Sequence, residues 1–121
     1  MSMFDSWFNS SSSAVQEVSR SPAEQARVDA ATASMALYQY DSCMFCARVR
    51  KAITALKLDI ELRDVMRSDE HHRDLVSFGG SSTVPCLRLG KDDDPTRAEW
   101  MYESADIVAY LVRRFGADAV V

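Results

Sequence analysis

Two cysteines three residues apart, Cys43 and Cys46, are the side chains in this sequence with the clearest capacity for chemistry. The apolar segment 36–40 precedes them and predicts a short buried strand, while apolar residues at helical spacing follow them. Cys43 is therefore expected at the start of a helix, where unpaired backbone N–H groups and the helix dipole favour a thiolate. Cys46 lies one turn further on and can reach Cys43, so the pair predicts a site for thiol–disulfide exchange.

The neighbouring segments predict the elements that hold this pair. The segment 21–24, Ser-Pro-Ala-Glu, combines a serine cap, a proline at the first helical position and a capping-box glutamate, so it predicts a helix start before the first strand. Apolar and charged residues alternate over 58–63, which predicts a half-buried strand after the cysteine helix. Strand, helix and strand then form a βαβ unit with a right-handed crossover.

The second half of the chain predicts four further elements. In order they are a short helix, two strands and a last helix, over 68–78, 84–89, 100–102 and 103–115. The connection 90–95 is rich in turn residues, so the two strands are expected to be antiparallel. Pro85 is unusual within an apolar strand, because proline cannot donate a hydrogen bond to the ladder.

The order strand, helix, strand, helix, strand, strand, helix around a Cys-x-x-Cys pair is the thioredoxin-like plan. Residues 36–115 resemble glutaredoxins, particularly those close to the N-terminal domain of glutathione transferases. Three matching segments lie in the expected order: Cys43-Met44-Phe45-Cys46, Thr83-Val84-Pro85 and Glu103-Ser104-Ala105-Asp106-Ile107. The resemblance implies a thioredoxin-like α/β domain with a four-stranded mixed sheet flanked by helices, here with an extra N-terminal helix.

The resemblance also implies a glutathione-dependent thiol–disulfide oxidoreductase. Cys43 would attack a disulfide, Cys46 would serve as the resolving thiol, and glutathione would be the co-substrate. The implied partners are glutathione and glutathionylated or disulfide-containing proteins. Two other readings remain open, namely an iron–sulfur cluster bridged between two protomers and a non-catalytic module that binds glutathione.

The residues implied to bind glutathione lie in two segments, Thr83, Val84 and Pro85 in one and Glu103, Ser104 and Asp106 in the other. The bond before Pro85 is expected to be cis, which turns the backbone of Val84 toward the glutathione peptide. Glu103 and Ser104 are expected to hold the γ-glutamyl group, and Asp106 shares this task. The alternative for Pro85 is that it only marks a strand edge or a bulge. The alternative for Glu103 and Ser104 is that they form an ordinary helix cap.

Several residues depart from the glutaredoxin pattern. The lysine common before the first cysteine is absent, and Asp41 has the opposite charge, so thiolate support is expected from Arg48 or Arg50 as well as the helix start. The run 71–73, His-His-Arg, either faces the glycine carboxylate of glutathione or is a solvated helix surface. Cys86 is expected to be a small buried apolar residue, and no metal site is expected.

Composition narrows the function classes. The chain has 121 residues and a net charge of -4, which disfavours nucleic acid and anionic membranes as partners. Three cysteines are too few for a disulfide framework, and no signal peptide or membrane span is predicted, so a cytoplasmic location is expected.

The sequence predicts three divisions of the chain. They are a flexible tail over 1–19, the extra helix over 20–35 and the thioredoxin-like domain over 36–121. A docking or lipid-contacting role for Met3, Phe4, Trp7 and Phe8 is the alternative for the tail.

Overall fold

The computed structural model describes residues 15–92 and 94–117, which form four α-helices and four strands. The elements are α1 Pro22–Thr32, β1 Met35–Gln39, α2 Met44–Ala55, β2 Glu61–Asp64, α3 Asp69–Asp74, β3 Cys86–Leu89, β4 Glu99–Tyr102 and α4 Ser104–Phe115. One π-helical turn, Leu75–Gly79, continues α3, and Gly80 ends it with a φ of 87°. This order confirms the predicted thioredoxin-like arrangement. None of the helices in these two ranges is long and apolar enough to cross a bilayer.

The four strands form one mixed sheet in the order β2-β1-β3-β4. Strands β1 and β2 are parallel, with Ala36 opposite Glu61, and α2 connects them. Strand β3 is antiparallel to both β1 and β4. The mixed sheet and the antiparallel last pair are therefore confirmed.

Strand β2 begins later than its sequence pattern predicts. Leu58 and Ile60 are buried, as the alternation requires, but they lie in the segment that leads into the strand. Leu62 belongs to the strand and is 48% exposed. Strand β2 is an edge strand, so only β1 pairs with it. A period-two pattern shows which residues are buried, but it cannot show which part of the segment forms hydrogen bonds with β1.

Apolar residues cover both faces of the sheet. On one face, Leu37 and Leu87 pack with α2 and α4, whose buried residues recur at helical spacing: Val49, Ala52 and Ile53 in α2, and Ile107, Leu111 and Phe115 in α4. On the other face, Ala36, Tyr38 and Cys86 pack with Leu75 of the π-helical turn. The cysteine helix and the last helix therefore lie on the same side of the sheet.

The extra helix α1 starts as its sequence predicts. Ser21 accepts a hydrogen bond from the N–H of Glu24, and the Glu24 carboxylate accepts one from the N–H of Ser21, so the capping box is present. Val28 and Thr32 of this helix are fully buried. The helix thus packs into the domain.

The packed part of the chain begins before the predicted boundary at residue 20. Val18 is 6% exposed, and its N–H donates to the carbonyl of Ala55 at 3.2 Å. Arg20 donates from Nη1 to the carbonyl of Leu56 and from Nη2 to that of Phe115, each at 2.7 Å. These carbonyls end α2 and α4, where the helix dipole favours a cation. Part of the predicted tail is therefore fixed to the domain, and residues 1–14, with the apolar positions singled out above, lie outside the described ranges.

Candidate functional site

Cys43 is the N-cap residue of α2. Its backbone is extended, with φ of -76° and ψ of 120°, and its Sγ accepts a hydrogen bond from the N–H of Cys46 at 3.3 Å. The side chain is 8% exposed. A sulfur atom that receives a backbone N–H at a helix start is stabilised as a thiolate, because both the N–H group and the helix dipole favour negative charge there. This geometry suits a nucleophile.

Cys46 has a different environment, although it is only three residues away. Its side chain is fully buried. Burial, followed by hydrogen bonding to the Cys43 sulfur, raises the pKa of the Cys46 thiol to about 12. Cys46 therefore stays protonated near neutral pH, and the two thiols are suited to unequal roles.

Six residues from three segments line a cleft of about 220 Å³: Phe45, Thr83, Val84, Pro85, Glu103 and Ser104. Five of them are residues that the sequence predicts to bind glutathione. The sixth, Phe45, lies between the two cysteines and places their segment at the edge of the cleft. The peptide bond between Val84 and Pro85 is cis, as expected. Asp106 does not line this cleft and lies in the first turn of α4.

The start of α4 has two unusual features. Glu103 has a φ of 73° and a ψ of 113°, a backbone conformation that residues other than glycine rarely adopt. No side chain of the described residues caps the helix at this position, so its first N–H groups are open to an external acceptor. The strained residue and the uncapped N–H groups both border the cleft, which favours binding of a carboxylate there.

The two arginines expected to support the thiolate contact the site in different ways. Arg50 donates to the side-chain oxygen of Gln39 and to the carbonyls of Tyr40 and Asp41, the latter two at 3.4 and 3.0 Å. It therefore anchors the turn that leads into Cys43. Arg48 lies over the ring of Phe45, with 5.6 Å between its Cζ atom and the ring centroid.

A second cleft, of about 210 Å³, borders the other side of the cysteine segment. It is lined by Tyr40, Asp41, Ser42, Asp64, Met66 and Arg67. Ser42 lines this cleft and Phe45 lines the first, so Cys43 lies between the two along the chain. Arg67 pairs with Asp41 at 3.1 Å and with Asp64 at 3.7 Å. Sequence reasoning missed Arg67, and its only signal is a cation placed just after a strand that is parallel to β1.

The remaining candidates lie away from the first cleft. His71 places its ring edge against Tyr38, with 6.2 Å between centroids, and its Nδ1 atom is buried without a partner. None of the residues 71–73 lines either cleft described above. Cys86 is fully buried, and burial raises its pKa to about 12, which agrees with a small apolar role. Within residues 15–92 and 94–117, no group of three histidine, cysteine or acidic side chains is arranged to hold a metal ion.

Comparison with protein families gives one match. The model for "Glutathione S-transferase, N-terminal domain" matches residues 37–119, which is more than two thirds of the chain. Among curated proteins, none has a significant sequence match.

Comparison with solved structures gives several glutathione transferases. An epsilon-class enzyme from the housefly Musca domestica has a TM-score of 0.56 and 24% identity over 69% of this chain and 36% of its own. A homologue from Drosophila mojavensis, solved with bound glutathione, has a TM-score of 0.56 and 25% identity over 70% and 36%. A trimeric glutathione transferase from Leishmania has a TM-score of 0.55 and 28% identity over 71% and 18%. The present chain thus spans about a third, or less, of each relative.

Proposed function

This chain belongs to the family of glutathione S-transferase N-terminal domains, and on that premise we propose that it is a glutathione-dependent thiol–disulfide oxidoreductase. The observation that carries the proposal is the position of Cys43. Its sulfur caps α2 and accepts a backbone N–H, and its segment borders the cleft formed by the predicted glutathione-binding residues. A second cysteine one turn away supplies the thiol that a disulfide exchange needs.

In the first step, the Cys43 thiolate attacks the glutathione sulfur of a glutathionylated protein. A new disulfide forms between Cys43 and glutathione, the old disulfide breaks, and the protein thiolate leaves and takes up a proton from water. The backbone N–H of Cys46 and the start of α2 stabilise the attacking sulfur. The raised pKa of Cys46 keeps that thiol from competing as a nucleophile.

In the second step, a second glutathione thiolate attacks the glutathione sulfur of this mixed disulfide. Oxidised glutathione leaves, and Cys43 returns as a thiolate, so one free glutathione is consumed for each glutathionyl group removed from the protein. With a protein disulfide as substrate, Cys43 first forms a mixed disulfide with the protein, and Cys46 attacks the Cys43 sulfur after losing its proton, which releases the reduced protein and forms a Cys43–Cys46 disulfide. Two glutathione molecules then reduce that disulfide and leave as oxidised glutathione. Cys46 is required only on this second route.

Glutathione recognition is proposed to use both walls of the first cleft. Thr83, Val84 and Pro85 pair with the peptide, while the uncapped start of α4 holds the γ-glutamyl carboxylate. Glu103 holds the γ-glutamyl ammonium group, and Asp106 adds negative charge nearby. Arg67, beside Asp41 in the second cleft, supplies a cation where residues 39–42 lack the usual lysine.

The transferase names of the structural relatives favour a second candidate, the conjugation of glutathione to an electrophile. In that reaction Cys43 would stabilise the glutathione thiolate without forming a disulfide with it.

The two other hypotheses from the sequence have simple tests. If Cys43 and glutathione held an iron–sulfur cluster, the protein would absorb visible light after anaerobic purification. If the domain only bound glutathione without catalysis, Cys43 would be unreactive. We propose a reducing compartment such as the cytoplasm as its location, since three cysteines are too few for a disulfide framework.

The test is a pair of assays on the wild type, Cys43→Ser and Cys46→Ser. The proposal expects Cys43→Ser to lose reduction of a glutathionylated peptide and Cys46→Ser to retain it. Conjugation of glutathione to chlorodinitrobenzene is measured on the same proteins. Conjugation by wild type and Cys43→Ser, with no peptide reduction by any of the three, would replace the oxidoreductase proposal with the transferase.

A further inference from the structure

Tyr102 connects the two walls of the first cleft. It is the last residue of β4, so its backbone leads directly into Glu103 at the start of α4. Its side chain points to the opposite wall, where its hydroxyl donates to the carbonyl of Ser81 at 3.3 Å. Tyr102 is therefore joined through its backbone to Glu103 on one side of the cleft. Through its hydroxyl it is hydrogen-bonded to the loop before Thr83 on the other side.

The contact with Ser81 continues into the cleft. The Ser81 hydroxyl accepts a hydrogen bond from the N–H of Thr83 at 3.2 Å and donates to the Thr83 hydroxyl at 2.9 Å. Thr83 lines the cleft and is followed by Val84. A short series of hydrogen bonds thus leads from Tyr102 to the segment proposed to pair with the glutathione peptide.

The surroundings of the Tyr102 hydroxyl leave it little freedom. A Cβ atom at Gly79 would lie 2.6 Å from the hydroxyl oxygen and 3.0 Å from Cε3 of Trp100, so only glycine fits there without a shift. The Cys86 thiol also interacts with this hydroxyl, and burial raises the pKa of Tyr102 above its ordinary value. Glycine at residue 79 and the buried Cys86 confine the hydroxyl to the position from which it reaches Ser81.

We infer that Tyr102 is a positioning residue that fixes the loop 81–84 relative to the start of α4, and so sets the width of the glutathione cleft. The inference rests on the proposed function of that cleft. Glutathione that contacts both walls binds best when their separation is fixed beforehand, because less ordering is then needed on binding. Tyr102 acts through these segments, since its hydroxyl donates to Ser81 and not to the substrate.

The experiment measures glutathione binding by calorimetry in a Cys43→Ser background, which prevents disulfide formation. Tyr102→Phe removes the hydroxyl and keeps the ring, and Tyr110→Phe is the matched control because its hydroxyl only accepts from the exposed Arg114. The loss of one hydrogen bond predicts a rise in Kd of about three- to tenfold for Tyr102→Phe. Gly79→Ala, which displaces the same hydroxyl, is expected to have a similar effect, and Tyr110→Phe none.

Two further measurements separate positioning from general loss of structure. With Cys43 restored, its alkylation by iodoacetamide should stay within about twofold of wild type in Tyr102→Phe, because α2 is untouched. Amide hydrogen exchange at Thr83 should be faster in Tyr102→Phe and unchanged in Tyr110→Phe.

The inference is overturned if the Cys43→Ser protein binds glutathione and Tyr102→Phe changes neither its Kd nor the exchange at Thr83. A parent protein that fails to bind glutathione would instead refute the proposed function. The exchange rates would still decide whether Tyr102 fixes the loop.

Discussion

Replacing Glu103 by glycine and by alanine should separate two properties of this residue, its strained backbone and its carboxylate. At φ of 73° and ψ of 113°, a side chain crowds the neighbouring backbone. Such conformations cost about 1–3 kcal/mol each. Alanine keeps this strain and removes the carboxylate, whereas glycine removes both.

The difference in unfolding free energy between the two variants depends on two opposing effects. Glycine relieves about 1–3 kcal/mol of strain in the folded state but gives the unfolded chain about 0.5–1 kcal/mol more conformational entropy than alanine does. Glu103→Gly should therefore be more stable than Glu103→Ala by up to about 2.5 kcal/mol, and by about 1 kcal/mol at the middle of both ranges. Both variants lose the same charge-assisted contact, which is worth about 1.5–3 kcal/mol, so each should use glutathione about ten- to a hundredfold less well.

The assay combines urea unfolding with kcat/KM for a glutathionylated peptide. Lys57→Gly is the matched control. Within the described ranges, Lys57 and Glu103 are the two residues other than glycine that have a positive φ, and that of Lys57 is 54°. Lys57 does not line either of the two clefts described above. Lys57→Gly should leave peptide reduction unchanged. A Glu103→Gly protein that is less stable than Glu103→Ala would refute the strain, and wild-type kcat/KM in either variant would refute the glutathione contact.

Three further predictions concern the residues that hold the site and the sheet. Arg20→Ala should lower the free energy of unfolding by about 2 kcal/mol in urea, because two helix-terminal carbonyls lose a charged donor; a loss below about 0.5 kcal/mol would contradict this. Arg50→Met should slow alkylation of Cys43 more than Arg48→Met does, since only Arg50 anchors the turn before Cys43, and equal rates would count against that role. Arg63 and Lys91 hydrogen-bond Glu61 and lower its pKa to about 2, so stability from this carboxylate is present above about pH 4.5 and is lost as pH falls toward 2. Glu61→Gln should therefore flatten the rise of unfolding free energy from pH 2 to 4.5, and an unchanged slope would exclude the effect.

The parts of the fold that local sequence could predict are those with local causes. The capping box at Ser21 and Glu24 and the apolar spacing in α2 and α4 depend on residues within one or two turns of each other. The same holds for Cys43 at a helix start, because an N-cap is set by the strand before it and the helix after it. These features appear in the structure close to where the sequence places them.

The features that sequence could not predict depend on distant contacts. Arg20 touches the ends of two helices that lie 36 and 95 residues away in the chain. Arg67 reaches the turn before Cys43 only because β1 and β2 are parallel neighbours. Tyr102 acquires its contact with Ser81 from the packing of β4 against the π-helical turn. No local pattern of residue types carries this information.

Mass spectrometry can identify the cysteine that receives glutathione in the first step. Cys46→Ser protein is mixed with a glutathionylated peptide without free glutathione, and the protein is then analysed by intact and peptide mass spectrometry. We expect one glutathionyl group per chain, attached to Cys43, with release of one equivalent of peptide thiol. An unmodified Cys43, or glutathione attached to Cys86 instead, would contradict the proposal that Cys43 is the nucleophile of this domain.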